Sequence, residues 1–348
     1  MAYHISFMRR FFLTTLLIGG FNLCLLFQAQ AYIDATLQMQ LGNPSGAIVD
    51  TNNHNHYLIQ RTVEAIDYSD HLGEPVWASW DLTADDVGGS GRNSTFYTDT
   101  NLPPNFNSIS TDDYNGVGTN LFNRGHLCPS ADRTDTTNDN KLVFYMSNIM
   151  PQSALNNQNV WGNLEDYCRA QLTNNELLII CGGSGFGTAT IPSGKVYIPS
   201  NTWKIVVFTP AGSGTALSRI TATNRVIAVS IPNVTNGLSS DWHVYVTSPQ
   251  KIEQATGFTF FTALPAGIAN IFRTEVDGTP YFSSPVYTNK QFHFTVNGWT
   301  GTNYVVQATT NLVSTNWVSL TTNTAPFQFT ETNAGSFGQR FYRATVKQ

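Results

Sequence analysis

The densest group of reactive side chains is Arg124-Gly125-His126, with Asp132 and Arg133 close behind. Further along come Asn148, Asn157, Trp161, Glu165 and Arg169. An imidazole titrates near neutrality and can take a proton from water. Guanidinium groups pair with phosphate oxygens. Amide and carboxylate oxygens bind hard cations. Hydrolysis of a phosphodiester needs these parts: a base, a cation for the developing charge, and donors for the equatorial oxygens. Asn157, Trp161, Glu165 and Arg169 recur every four residues, so a helix would set them along one flank and let Asn157 and Glu165 face one metal. An oxygen-only site suits hydrated Mg²⁺ better than zinc. Singly, each residue has a plainer reading. Asn157 could cap a helix, Glu165 and Arg169 could be an i,i+4 ion pair, and Asn148 could be a turn residue ahead of Pro151. Asp132 and Arg133 read as structural or as an accessory pair.

These groups need a scaffold, and the hydrophobic pattern supplies one. Alternating or continuous apolar runs predict strands at residues 77–82, 142–146 and 176–181, with others at 204–208, 225–230 and 243–246. A helical pattern covers residues 155–172, and a second helix covers 251–254 and stops at Gly257. Beyond residue 286 the chain is rich in Thr and Asn. Five short strands, at 292–296, 304–308, 317–320, 327–329 and 341–344, suggest a small β-sandwich with Trp299, Trp317 and Phe341 as candidates for its core.

The 348 residues suggest two domains, and 41% hydrophobic against 12% charged residues excludes a disordered chain. Arg9 and Arg10 precede an apolar run at residues 11–27, and Ala29-Gln30-Ala31 is a small-x-small cleavage site. This is the pattern of a signal peptide, so we expect a secreted or periplasmic protein with no stable membrane association. Losing Arg9 and Arg10 would take the formal charge from −5 to −7. A broad basic face is therefore excluded, and any nucleic-acid contact must use a local groove. Cys128, Cys168 and Cys181 would remain. Three cysteines allow at most one internal bridge, a short crossover could bring Cys168 and Cys181 together, and Cys128 reads as buried and unpaired. His54 and His56 read as a flexible pair near the mature N-terminus. Gly182-Gly183-Ser184-Gly185 lacks the Lys-Ser/Thr of a phosphate loop and reads as a turn.

The ordered set Arg124-Gly125-His126-Leu127-Cys128-Pro129, Ser147-Asn148-Ile149-Met150-Pro151-Gln152, Asn157, Trp161, Glu165, Arg169 resembles the DNA/RNA non-specific endonuclease family of ββα-metal (His-Me finger) nucleases. The likeness extends over about residues 55–272, taking in Trp77, Arg92, Trp203-Lys204 and residues 252–257. It implies an α+β fold with a central antiparallel sheet, beside the small C-terminal all-β module. The organisation expected is residues 1–31 signal peptide, 32–285 nuclease domain and 286–348 module. It implies cleavage of DNA and RNA to 5′-phosphate products with Mg²⁺, for which Mn²⁺ could substitute. His126 would be the general base and Asn157 the one direct protein ligand of the ion. Glu165 would reach the ion through its waters. Arg124 and Arg92 would hold phosphate, Asn148 would hold the catalytic loop or His126, and Arg169 would steady Glu165 or the phosphate. One departure stands out: the family has Asp where this chain has Asn123. An inert nuclease fold acting as a binding or adhesion protein, and a phosphodiesterase on small nucleotides, are the alternatives.

Overall fold

A computed structural model of the chain describes residues 37–118, 121–313 and 316–347. The expected signal peptide lies outside them. Among the described residues no helix is long and apolar enough to cross a membrane.

A six-stranded antiparallel sheet forms the frame, in the order β1-β2-β3-β6-β7-β8. Its strands are β1 (Tyr57–Gln60), β2 (Ala65–Ser69), β3 (Glu74–Leu82), β6 (Asn175–Ser184), β7 (Asn201–Pro210) and β8 (Val226–Pro232). Both faces are covered, so β6 and β7 read as nearly unbroken apolar runs. Along β6 the side chains divide by parity. Leu177, Ile179 and Cys181 enter one core with Trp80, Phe144, Trp161 and Leu164, while Leu178 and Ile180 enter the other with Trp77, Trp203 and Phe272. Against the first face lie a short hairpin, β4 (Phe122–His126) with β5 (Ile149–Ser153), and the helix that follows it. This is a ββα unit. Its helix begins as a π-helical turn, Asn156–Trp161, and continues as α2 (Gly162–Ala170). Helix α1 (Thr137–Leu142) lies between the two hairpin strands in sequence.

Two expected strands are absent. Residues 142–146 finish α1 and enter a 3-10 turn, because Thr136 caps the helix through the Asp139 N–H and Asn148 takes the Val143 carbonyl that a strand would have paired. Residues 243–246 fall in the 3-10 turn Trp242–Tyr245, capped by Asp241. The expected late helix is α3 (Pro249–Thr256), ended by Gly257 at φ 79°. Helix α4 (Ala266–Thr274), which sequence periodicity did not single out, packs Phe272 and Ala269 into the second core.

The C-terminal region forms two three-stranded sheets. One orders β13 (Phe327–Glu331), β10 (Gln291–Asn297) and β9 (Tyr281–Thr288); the other orders β12 (Val318–Thr324), β11 (Asn303–Thr309) and β14 (Phe341–Val346). All five expected strands form. β9 adds a sixth and starts ahead of residue 286. The core differs from expectation: Phe294, Val296, Tyr304, Val306, Ala325 and Phe329 fill it. Trp299 instead packs over Gly278 and donates from Nε1 to Asp277 at 2.7 Å. Asp277 holds Arg225 of the nuclease-like region through two 2.7 Å bonds, so this tryptophan is a joint between the two parts. Trp317 lies under the Arg343 guanidinium at 4.3 Å, and Phe341 is only half-buried.

Cys168 and Cys181 are not bridged. Cys128, Cys168 and Cys181 are free and buried, and Cys181 Sγ points at the Leu127 carbonyl at 3.5 Å. Burial pushes the Cys168 thiol up to about 12, where almost no thiolate is available to react. We expect all three thiols to resist alkylation until the protein is denatured. Non-reducing peptide mapping that recovered a 168–181 crosslink would overturn this arrangement.

Candidate active site

His126 ends β4, with its backbone opposite Ile149 of β5. The preceding residue must be glycine for a steric reason. A Cβ at Gly125 would lie 2.0 Å from Oε1 of Gln152, a fully buried side chain of the facing strand. Just beyond His126 the chain is clamped by Asn148. The Asn148 amide donates to the Cys128 carbonyl at 2.9 Å and the Val143 carbonyl at 2.8 Å, and accepts from the Cys128 N–H at 3.0 Å. Asn148 therefore holds the loop, and does so from complete burial.

The His126 ring sits edge-on to Phe144 at 4.6 Å and against Phe96 at 5.2 Å. Its Nε2 is buried and makes no hydrogen bond. Leaving such a group unmatched costs about 1–3 kcal/mol, which a purely structural histidine would avoid. Burial is the largest influence on its protonation, followed by the charges of Arg92 and Arg124, and together they lower its pKa to about 3. The imidazole is therefore neutral, with a lone pair available on nitrogen.

The same aromatic rings carry the cations. Arg124 lies over Phe96 at 4.5 Å and Arg92 over Phe144 at 5.1 Å. Both side chains are exposed, and neither forms an ion pair among the described residues. Arg92 also lies within the electrostatic reach of Glu165. Asn157, in the π turn, donates from Nδ2 to Oδ1 of Asn123 at 3.1 Å, and Gln158 donates to the same oxygen at 2.9 Å. This leaves the Asn157 carbonyl oxygen as its acceptor. Asn123, Arg124, Asn157 and Phe96 line one open cavity of about 690 Å³.

Residues 42–267 match the DNA/RNA non-specific endonucleases. The chain belongs to this family. A nuclease from a Nostoc species is 38% identical over 242 residues, covering 70% of this chain and 86% of that protein. Nuclease C1 of Cunninghamella echinulata var. echinulata is 28% identical, covering 65% and 88%. In fold, EndoG in a solved EndoG/EndoGI complex matches with a TM-score of 0.56 at 19% identity, covering 67% of this chain and 93% of that one. The protein is a hydrolytic nuclease with the ββα-metal architecture.

Two placements in the nuclease differ from the sequence reading. Arg169 makes no hydrogen bond to Glu165. Its guanidinium binds Asp132 at 2.8 Å and Asp166 at 2.5 Å, and Asp132 in turn accepts from Trp80 Nε1 at 3.0 Å. Arg169 thus ties α2 to the sheet. The neighbour of Glu165 is Lys204 of β7, with Nζ to Oε1 at 3.4 Å. Lys204 is fully buried, 4.2 Å from the centre of the Trp161 ring and 5.5 Å from that of Trp80. Burial raises the Glu165 pKa, and the Lys204 charge pulls it back toward the ionised form. Sequence reading passed over Lys204 as part of a strand; the available signal was a single cation inside an apolar run.

Two measurements follow from these environments. The ring resonances of His126 should not titrate between pH 5 and pH 8. Because its folded pKa lies below the unfolded value of 6.5, this residue should favour unfolding as pH falls below 6.5 and toward about 3. A midpoint near 6.5 would show that the ring is solvated. Lys204→Met strips the cation from a buried carboxylate and should lower the unfolding free energy by roughly 3 kcal/mol. Adding Glu165→Gln should recover part of that loss, and a strictly additive double-mutant cycle would show that the pair does not interact.

Proposed function

We propose that this nuclease is an exported, Mg²⁺-dependent endonuclease that cuts DNA and RNA without sequence preference, leaving 5′-phosphates. The observation that carries the reading is the buried, unpartnered Nε2 of His126 between two exposed, aromatic-backed arginines. Export rests on the signal-peptide pattern of residues 1–31. The absence of sequence preference is supported by the arginines, which address phosphates and carry no base code.

The donor set fits a hydrated hard cation. Asn157 offers an amide oxygen and Glu165 a carboxylate, and no cluster of three His, Cys, Asp or Glu side chains among the described residues suits a softer metal. When bound, Mg²⁺ supplies positive charge against the phosphoryl and leaving oxygens. His126 accepts a proton from the attacking water at Nε2, and its neutrality keeps it competent across the physiological range. Arg124 and Arg92 bind the non-bridging oxygens and take up charge as it builds on them. Asn148 keeps the imidazole on line by fixing the residues that follow it. Asn123 orients Asn157 as a hydrogen-bond acceptor, so the departure from the family's Asp preserves the contact.

Plasmid DNA and total RNA incubated with the purified chain from residue 32 should both be degraded with Mg²⁺ and spared with EDTA. His126→Ala should lower the rate by about 10²–10⁴-fold, the range for loss of a general base. No cleavage by a folded wild type, and none by Asn123→Asp, would refute the reading and leave an inert nuclease fold.

A further inference from the structure

The cavity beside Asn123, Arg124 and Asn157 lies with the ββα unit on one face of the central sheet. On the opposite face, beside Trp77 and Val76, a second cavity of about 610 Å³ opens. Among the described residues no Asp, Glu, Lys or Arg lines it. Its titratable groups are His56 and His71, its hydroxyls include Ser184, and its apolar walls include Phe186 and Phe258.

His56 is held as an oriented donor. Trp77 Nε1 donates to Ser45 Oγ at 2.9 Å, and Ser45 Oγ donates to Asp67 Oδ2 at 2.6 Å. The same carboxylate oxygen lies 2.8 Å from His56 Nδ1. The backbone of His56 is pinned as well, by Asn53 and by the Ile48 N–H. Nδ1 therefore carries a proton toward Asp67, and the far edge of the ring, with Nε2, is left to the cavity. The neighbouring pair makes the contrast. His54 uses Nδ1 on Asp70 at 2.7 Å and Nε2 on Asn105 at 3.2 Å, so both of its nitrogens are engaged in fastening the loop. His56 engages Nδ1 alone among the described residues, and its side chain is 40% exposed.

The oriented donor decides the ligand class. The Asp67 carboxylate is completely buried, and its Oδ1 has no partner. His56 is its ion-pair partner, and the hydrogen bond to Asp67 lifts the imidazole above its usual range despite burial. A protonated His56, its charge answered by Asp67 behind it, turns one Nε2–H donor to a cavity with no carboxylate among its described lining residues, so the matching group is a strong acceptor such as a phosphate oxygen. The chain path leaves room for one. Gly185 takes φ +69°, and a Cβ on Gly183 would meet Phe186 at 2.8 Å and Pro199 at 2.9 Å. These glycines let Phe186 lie close over the strand end, where it and Phe258 both line the cavity.

We propose that this cavity binds a small phosphate monoester with a planar body, of the mononucleotide class, with the phosphate on His56 and His71 and the planar body against Phe186 and Phe258. The choice of nucleotide leans on the proposed function, since 5′-phosphorylated nucleic-acid fragments are what such an enzyme releases; the phosphate site itself does not.

The test is site-resolved imidazole NMR on the purified chain from residue 32, in EDTA, titrated separately with AMP, inorganic phosphate and adenosine. AMP should shift the His56 and His71 rings saturably and bind at least about tenfold more tightly than either fragment. His56→Gln should weaken AMP at least about tenfold while Mg²⁺-dependent plasmid cleavage stays within about twofold of wild type. Phe258→Ala, which leaves the Asp67 relay intact, should weaken AMP and leave phosphate unchanged. No shift at His56, a shift confined to His126, or equal binding of AMP and phosphate would overturn the proposal. Failure of plasmid cleavage alone would count against the catalytic reading and leave the ring shifts interpretable.

Discussion

Everything the site does depends on one side chain that touches no substrate. Asn148 holds the backbone on both sides of Cys128 and takes the end of α1 through Val143, while its own carbonyl accepts the Leu127 N–H at 3.0 Å. These bonds are made where water cannot replace them, so each would be costly to leave unmade. They bring β4, the following loop and β5 into one rigid unit. His126 stands at the end of that unit and inherits its position. The same clamp forces residues 142–146 out of a strand, which puts Phe144 edge-on beneath the imidazole.

The electrostatic design separates by depth. Cations that could meet a polymer, Arg92 and Arg124, are exposed and stacked on phenylalanine rings. Cations that shape the protein, Lys204 and Arg133, are buried. Arg133 gives its guanidinium to the Val63 and Asp81 carbonyls and pairs with Asp86. A formal charge of −5 is therefore no obstacle to phosphate binding, because the relevant field is local. It does argue against tight binding of long polymers through a wide basic face, which suits an enzyme that must let its products go.

Much of this was legible in the sequence because the chemistry is local. Hairpin, turn and helix are contiguous, so the spacing from His126 to Asn157 and Glu165 survives folding intact. Long-range facts were not legible. Lys204 meets Glu165 across 39 residues of chain, and nothing in an apolar strand announces which neighbour a lone cation will find. Trp299 reads as core because it is large and apolar. Its indole N–H and a glycine opposite it at 278 instead made it a joint. Cys168 and Cys181 share one core without bridging, because thiol direction depends on packing that spacing does not encode. The π turn at Asn156–Trp161 also lay beyond a four-residue periodicity, and turns of that kind recur at functional sites.

Asn123 shows how a departure from a family pattern can be weighed by splitting geometry from charge. As an acceptor, the amide oxygen does what a carboxylate oxygen would do, taking the Asn157 and Gln158 N–H groups. What it lacks is a negative charge beside Asn157, the residue proposed to hold the cation. His126 feels that loss little, since its neutral form is already enforced by burial and by two arginines. A cation held by Asn157, as proposed, would feel it directly, because the Coulomb attraction of a nearby carboxylate in a partly buried cleft would amount to several kcal/mol even at an effective dielectric constant of about 20. On the proposed mechanism the substitution would therefore act on how tightly the ion is held, not on the base, and its cost would fall as the concentration of the ion rises.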